Sequence, residues 1–141
     1  MANTKANNAL NILIYRQKTQ LPFALKELNK YGKKTSHWSW WAFPTEMSGG
    51  SEPPIKLDNI PRGKSFVTIT TAKKLIESAP ISWYLVLSKI CELIENTSKL
   101  ESVLPKIDHD RVRYFIKFWN TIDNKPDWLT NVISRLYKKL K

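Results

Sequence analysis

At 141 residues, 42% apolar and 11% aromatic, the chain is long enough for one packed domain and too apolar for disorder. No run nears the roughly 18 apolar residues of a membrane span, and no basic-then-apolar leader opens the chain. A lone cysteine, Cys91, leaves no internal disulfide or thiolate metal site. A net charge of +11 favours phosphate-bearing partners, although 18 of the 23 cations are scattered lysines and five are arginines, the residue that dominates specific base and phosphate recognition.

Two helices are expected first. Residues 6–18 set Leu10, Leu13, Ile14 and Gln17 at helical spacing, and Pro22 fits the first turn of a second helix carrying Leu25 and Leu28 on one face. Gly32 supplies a left-handed cap, with Lys26 and Lys30 suited to the negative end of the helix. The next segment, Lys33 to Glu46, holds half of the chain's tryptophans, Trp38, Trp40 and Trp41, beside His37. Its shortness allows a helical turn or an extended strip.

Between Pro44 and Ser65, Ser48-Gly49-Gly50-Ser51, Pro53-Pro54 and Pro61-Arg62-Gly63 mark a long irregular loop, a kind of segment that often serves function. Phe66–Thr70 alternates like a strand but has no partner strand. Thr70 or Thr71 then caps a helix ending at Ser78, and Pro80 opens another with Trp83, Val86, Leu87, Ile90, Leu93 and Ile94 on its apolar side. Cys91 falls in this run as a small hydrophobe. After a turn near Leu100–Leu104, Asp108 is read as the N-cap of a helix whose stripe is Val112, Phe115, Ile116, Trp119 and Ile122. A final helix from about Pro126 buries Trp128, Val132, Leu136 and Leu140 and turns Arg135, Lys138, Lys139 and Lys141 to solvent. The expected fold is all-α: a single domain over residues 1–141 with six or seven helices, one long Pro/Gly-rich loop and a basic amphipathic helix at about 126–141.

Familiar catalytic patterns fail on inspection. Gly63-Lys64-Ser65 ends like a phosphate loop, but Asp58 occupies the first glycine position and no strand-to-helix junction follows. Neither His37 nor His109 has a second histidine three or four residues away, so no metal is expected, and Ser36-His37 lacks a nucleophile elbow. What remains is aromatic and electrostatic. Trp38, Trp40 and Trp41 offer stacking faces, and Lys33, Lys34, Ser36, His37, Arg111 and Arg113 offer donors for an anion. Arg111 borders its helix's apolar stripe, whereas Arg113 points away from it. Glu46 and Asp108, with His37, are the acid–base candidates. The competing reading is structural: Asp108 caps, Arg111 pairs with a carboxylate, and the indoles fill the core.

Gly32-Lys33-Lys34-Thr35-Ser36-His37-Trp38-Ser39-Trp40-Trp41-Ala42-Phe43-Pro44 resembles the Gly-Lys/Arg-Lys-x-Ser-His-Trp-x-Trp-aromatic-x-Phe-Pro signature of a bacterial family catalogued as domain of unknown function 1810. Gln17, Ala24-Leu25-Lys26-Glu27-Leu28, Ala72–Ile76 and Asp108 with Arg111-Val112-Arg113 are similar to its flanking motifs, so the resemblance spans about residues 8–122. The chain departs in a longer loop after Pro44 and in Tyr114-Phe115, which replaces a pair of serines and removes their hydroxyls from any chemistry. The resemblance implies an all-helical fold and supplies no established activity. Size and helical class also resemble ADP-ribose-processing N-glycosidases, an analogy of fold alone.

The expectation is a cytoplasmic domain, free of cofactor and membrane, that binds a phosphorylated, nucleotide-derived small molecule such as ADP-ribose. Hydrolysis of a glycosidic or phosphate-linked bond would be its chemistry if it is an enzyme. Two alternatives stand beside it: a non-enzymatic nucleic-acid binder using the basic surface, and a protein-interaction module using the loop or the last helix.

Overall fold

A computed structural model describes residues 4–46, 65–78 and 81–140. The Pro/Gly-rich segment 47–64, including Gly63-Lys64, lies outside the described residues, as do Pro80 and Lys141. Among the described residues there are six α-helices: α1 (Thr4–Tyr31), α2 (Ser39–Ala42), α3 (Ile69–Ser78), α4 (Ile81–Glu95), α5 (His109–Asn120) and α6 (Asp127–Leu140). Short 3-10 turns cover Leu100–Ser102 and Lys106–Asp108, and no strand occurs among the described residues. None of the described helices is long and apolar enough to cross a membrane.

The two expected N-terminal helices are one, with Pro22 inside it. Pro22 removes the donor that would meet the Lys18 carbonyl, and an interior proline costs about 3 kcal/mol. Both residues face solvent, where water can satisfy the freed carbonyl. Leu13, Leu21, Ala24 and Leu28 are buried along the opposite face. At roughly 1.5–3 kcal/mol for each fully buried large apolar side chain, that continuous face holds the helix together through the proline. Gly32, at φ +67°, then reverses the chain, and its N–H donates to the Leu28 carbonyl at 2.9 Å.

Packing follows the order α3–α1–α4–α6–α5, with α2 wedged against α1 and α4. The expected stripe of α4 is buried at Trp83, Val86, Leu87, Ile90 and Ile94, and that of α5 at Val112, Phe115, Ile116 and Trp119, with Ile122 just beyond. Trp83 and Trp119 meet at 5.6 Å between ring centroids, at the centre of an aromatic cluster that includes Phe115 and Phe118. In α6 the buried stripe runs through Leu129, Val132, Ile133, Leu136 and Leu140. Trp128 is only half-buried and sets its ring edge-on to Trp83 and Tyr84.

The cap of α3 lies earlier than the sequence indicates. The Thr71 N–H donates to Thr68 Oγ1 (3.1 Å) while the Thr68 N–H donates to Thr71 Oγ1 (2.8 Å). This reciprocal box makes Thr68 the cap and Thr71 its partner. The preceding residues, 65–68, form neither helix nor strand, and the Val67 N–H donates to the Thr45 carbonyl at 3.0 Å.

Candidate functional site

The reversal at Gly32 delivers a strip, residues 33–46, across the top of the bundle, and buried side chains from three helices hold its far half. Gln17 Nε2 of α1 donates to the Trp41 carbonyl (2.9 Å), Trp83 Nε1 of α4 to the Ala42 carbonyl (3.0 Å), and Trp119 Nε1 of α5 to the Pro44 carbonyl (2.8 Å). Gln17 itself is held through its backbone carbonyl, which accepts from Ser82 Oγ at 2.9 Å. A buried peptide carbonyl without a donor is costly, so these side chains fix the strip's path.

Glu27 fixes the near half. Its Oε2 accepts the Thr35 N–H (2.7 Å), the Ser36 N–H (3.2 Å) and Trp38 Nε1–H (2.9 Å). Burial by itself would raise the carboxyl, but the donors from Ser36, Thr35 and Trp38 outweigh it and hold the group down at about 2. Sequence reading gave Glu27 no role. The signal was available: it is the only acidic residue among the first 45.

The strip forms one wall of a cleft of about 600 Å³; Pro105, Ile107 and the first turn of α5 form the other. The Lys34 N–H ties the two walls by donating to the Val103 carbonyl at 2.8 Å. Lys34, Ser36, His37 and Trp40 reach the cleft from the strip, and Asp108 and Arg111 face them. Lys34 Nζ lies 3.0 Å from Asp108 Oδ2 and 5.4 Å from the centre of the Trp38 ring. His37 is exposed and tilts against Trp40 at 6.4 Å. Burial pulls the Arg111 guanidinium down to about 10, an effect Asp108 opposes, so Arg111 keeps its charge at neutral pH.

Several candidates stand elsewhere. Trp38 and Trp41 are sealed in the core, at 3% and 1% exposure, leaving Trp40 as the indole that lines the cleft. Trp41 packs under the Arg16 guanidinium. Lys33 and Glu46 are exposed and do not line this cleft. Arg113 points away from it, pairing with Asp110 at 3.1 Å and donating through Nε to the Leu140 carbonyl at 3.3 Å.

Asp108 stands at the N-cap position of α5, as expected, but does not cap it with its side chain: its backbone is already helical (φ −90°, ψ −9°) and its carboxylate makes no capping hydrogen bond. The preceding 3-10 turn leads straight into α5, so the carboxylate turns to Lys34. His109 is buried, with Nε2 2.9 Å from the Leu104 carbonyl, which gives the second histidine a structural task. Among the described residues no group of three or more His, Cys, Asp or Glu side chains converges as a metal site would require. On α6, Arg135 is engaged by Glu95 (Nε to Oε2, 2.8 Å), so the exposed basic side rests on Lys138 and Lys139.

Chemically, the cleft pairs an aromatic wall with two cations, one carboxylate and one imidazole. Such a set suits an anionic ligand with a planar part. Comparison with known protein families, curated proteins and solved structures found no match to this chain.

Proposed function

We propose that the cleft binds a phosphorylated small molecule with a planar portion, of the nucleotide-derived class that includes ADP-ribose. Trp40 provides the stacking surface, Arg111 and Lys34 the phosphate contacts, and His37 and Ser36 further donors at the rim. The supporting observation is convergence: residues 34–40 and 105–111, far apart in sequence, meet to line one cleft of nucleotide size. The resemblance to the domain of unknown function 1810 family belongs to the same proposal, because Lys34, Ser36, His37 and Trp40 of the signature are the members that reach the cleft. A cytoplasmic setting accords with the single, buried cysteine.

Binding is the core of this reading, and turnover is secondary. If a bond is hydrolysed, the carboxylate in the cleft is Asp108 and the neighbouring acid–base group is His37. Glu46 is outside the cleft.

Thermal melting with ADP-ribose, ADP and AMP tests the proposal. A ligand at one hundred times its Kd adds about 2.7 kcal/mol, which moves the midpoint of a domain this size by roughly 5–10 °C. Arg111→Ala and Trp40→Ala should each abolish most of that shift. No shift in the unaltered protein with any of the three ligands at about 5 mM would overturn the proposal.

A further inference from the structure

The outward side of α1 carries one sign of charge. The first 45 residues contain seven basic residues and one acidic residue, and that one, Glu27, is occupied by three donors from the strip. Tyr15, Lys18, Pro22, Phe23, Lys26 and Lys30 are all exposed. At about 100° and 1.5 Å per residue they share one arc of roughly 140° over about 22 Å of helix. Between residues 15 and 30 that arc contains no carboxylate and no leucine, isoleucine or valine.

Two of these residues are large aromatics left open to solvent, Tyr15 at 54% and Phe23 at 65% exposure. Lys26 Nζ lies 5.7 Å from the Phe23 ring centroid, so a phosphate-binding charge accompanies a stacking face. None of the six lines the cleft.

We propose that this face of α1 is a docking track for single-stranded nucleic acid. Lys18, Lys26 and Lys30 meet backbone phosphates, and Tyr15 and Phe23 receive unpaired bases on their rings. The charge fits any polyanion, but the aromatics narrow the choice. Duplex bases are stacked on one another and offer no free face to a tyrosine or phenylalanine. Bilayer insertion needs a broad apolar face set apart from the cations, whereas this arc offers two aromatic rings interleaved with lysines. The track extends the basic-surface alternative from bulk charge to a particular helix face, and it is independent of the cleft.

Fluorescence anisotropy with the full chain and a labelled 15-nucleotide single strand of mixed sequence tests the proposal. A hairpin duplex, anionic phosphatidylserine vesicles and poly-glutamate serve as competitors. Three phosphate contacts give a salt slope near −2, so raising salt from 50 to 200 mM should weaken binding about twentyfold. The variant K18E/K26E/K30E should lose at least that factor and flatten the slope. Y15A/F23A should lose at least about tenfold while keeping the slope, because stacking is not a counterion effect. All five positions are exposed, so both variants should keep the native circular dichroism. Arg111→Ala should bind the strand normally, which separates failure of the track from failure of the cleft. The proposal is overturned by no binding at 50 mM salt, by undiminished binding of either folded multiple variant, or by duplex, vesicles or poly-glutamate competing as well as unlabelled single strand.

Discussion

Replacing Glu27 by glutamine removes one negative charge from the point where α1, the strip and Trp38 meet. Three N–H groups converge on its Oε2 at 2.7 to 3.2 Å, and the carboxyl titrates at about 2 where an ordinary glutamate titrates at 4.5. By linkage a displacement of that size corresponds to about 3 kcal/mol. The carboxylate is only partly buried, so solvent screening reduces the expected contribution to about 1–2 kcal/mol. A depressed folded-state value means the stabilisation is complete above pH 4.5 and disappears as pH falls through about 2. Urea unfolding of the unaltered protein and Glu27→Gln should therefore differ by about 1–2 kcal/mol at pH 7. The gap should narrow below pH 4.5 and close near pH 2. Shifts from other carboxylates cancel, because both proteins share them. Equal stability at pH 7, or a gap that stays constant down to pH 2.5, would refute the assignment of Glu27 as a charged anchor.

Trp119→Phe leaves the Pro44 carbonyl without its buried donor and opens space in the aromatic cluster. The expected cost is about 2–4 kcal/mol in urea unfolding, and a loss under about 1 kcal/mol would show that the hydrogen bond matters little. Burial pushes the Cys91 thiol up to about 12, with a smaller lowering by Arg135 and a smaller raising by Glu95. A disulfide reagent at pH 8 should label Cys91 only after denaturation, and rapid labelling of the native protein would contradict its burial. Trp40→Ala should remove the ligand-induced melting shift while costing at most about 2 kcal/mol of intrinsic stability, since that indole is only partly buried. A retained shift would locate binding away from the cleft.

Regular apolar spacing was enough to read the second half of the fold. The stripes of α4 and α5 are buried as the spacing indicates, because a helix face of large side chains has one low-energy destination. Pro22 misled because its preference for a first turn is local, whereas packing along all of α1 decides where that helix ends. The start of α3 misled for a local reason, since Thr71 is the partner in a box whose cap is Thr68, whereas Asp108 misled for a non-local one. A capping residue competes with longer-range partners, and Asp108 finds Lys34 at 3.0 Å. The tryptophan motif falls on the strip that lines the cleft while leaving its members unsorted. Trp38 and Trp41 sit in the core and Trp40 in the cleft, a division set by a single turn of helix, α2, whose orientation depends on Gln17 and Trp83. Nothing in local spacing announces such contacts across 24 and 41 residues.

The three carbonyls held by Gln17, Trp83 and Trp119 also govern how the molecule assembles. Their sequence separations are 24, 41 and 75 residues, so the strip's path is fixed only by elements distant in sequence, as is the packing of α1 on α4. Loop closure must precede its ordering, so the strip is expected to order together with the α1–α4 pairing and not before it. A cleft wall anchored on α1, α4 and α5 together is expected to open only when those helices separate. Amide exchange in residues 41–43 should follow global unfolding, and a ligand in the cleft should slow exchange throughout the core rather than in the strip alone.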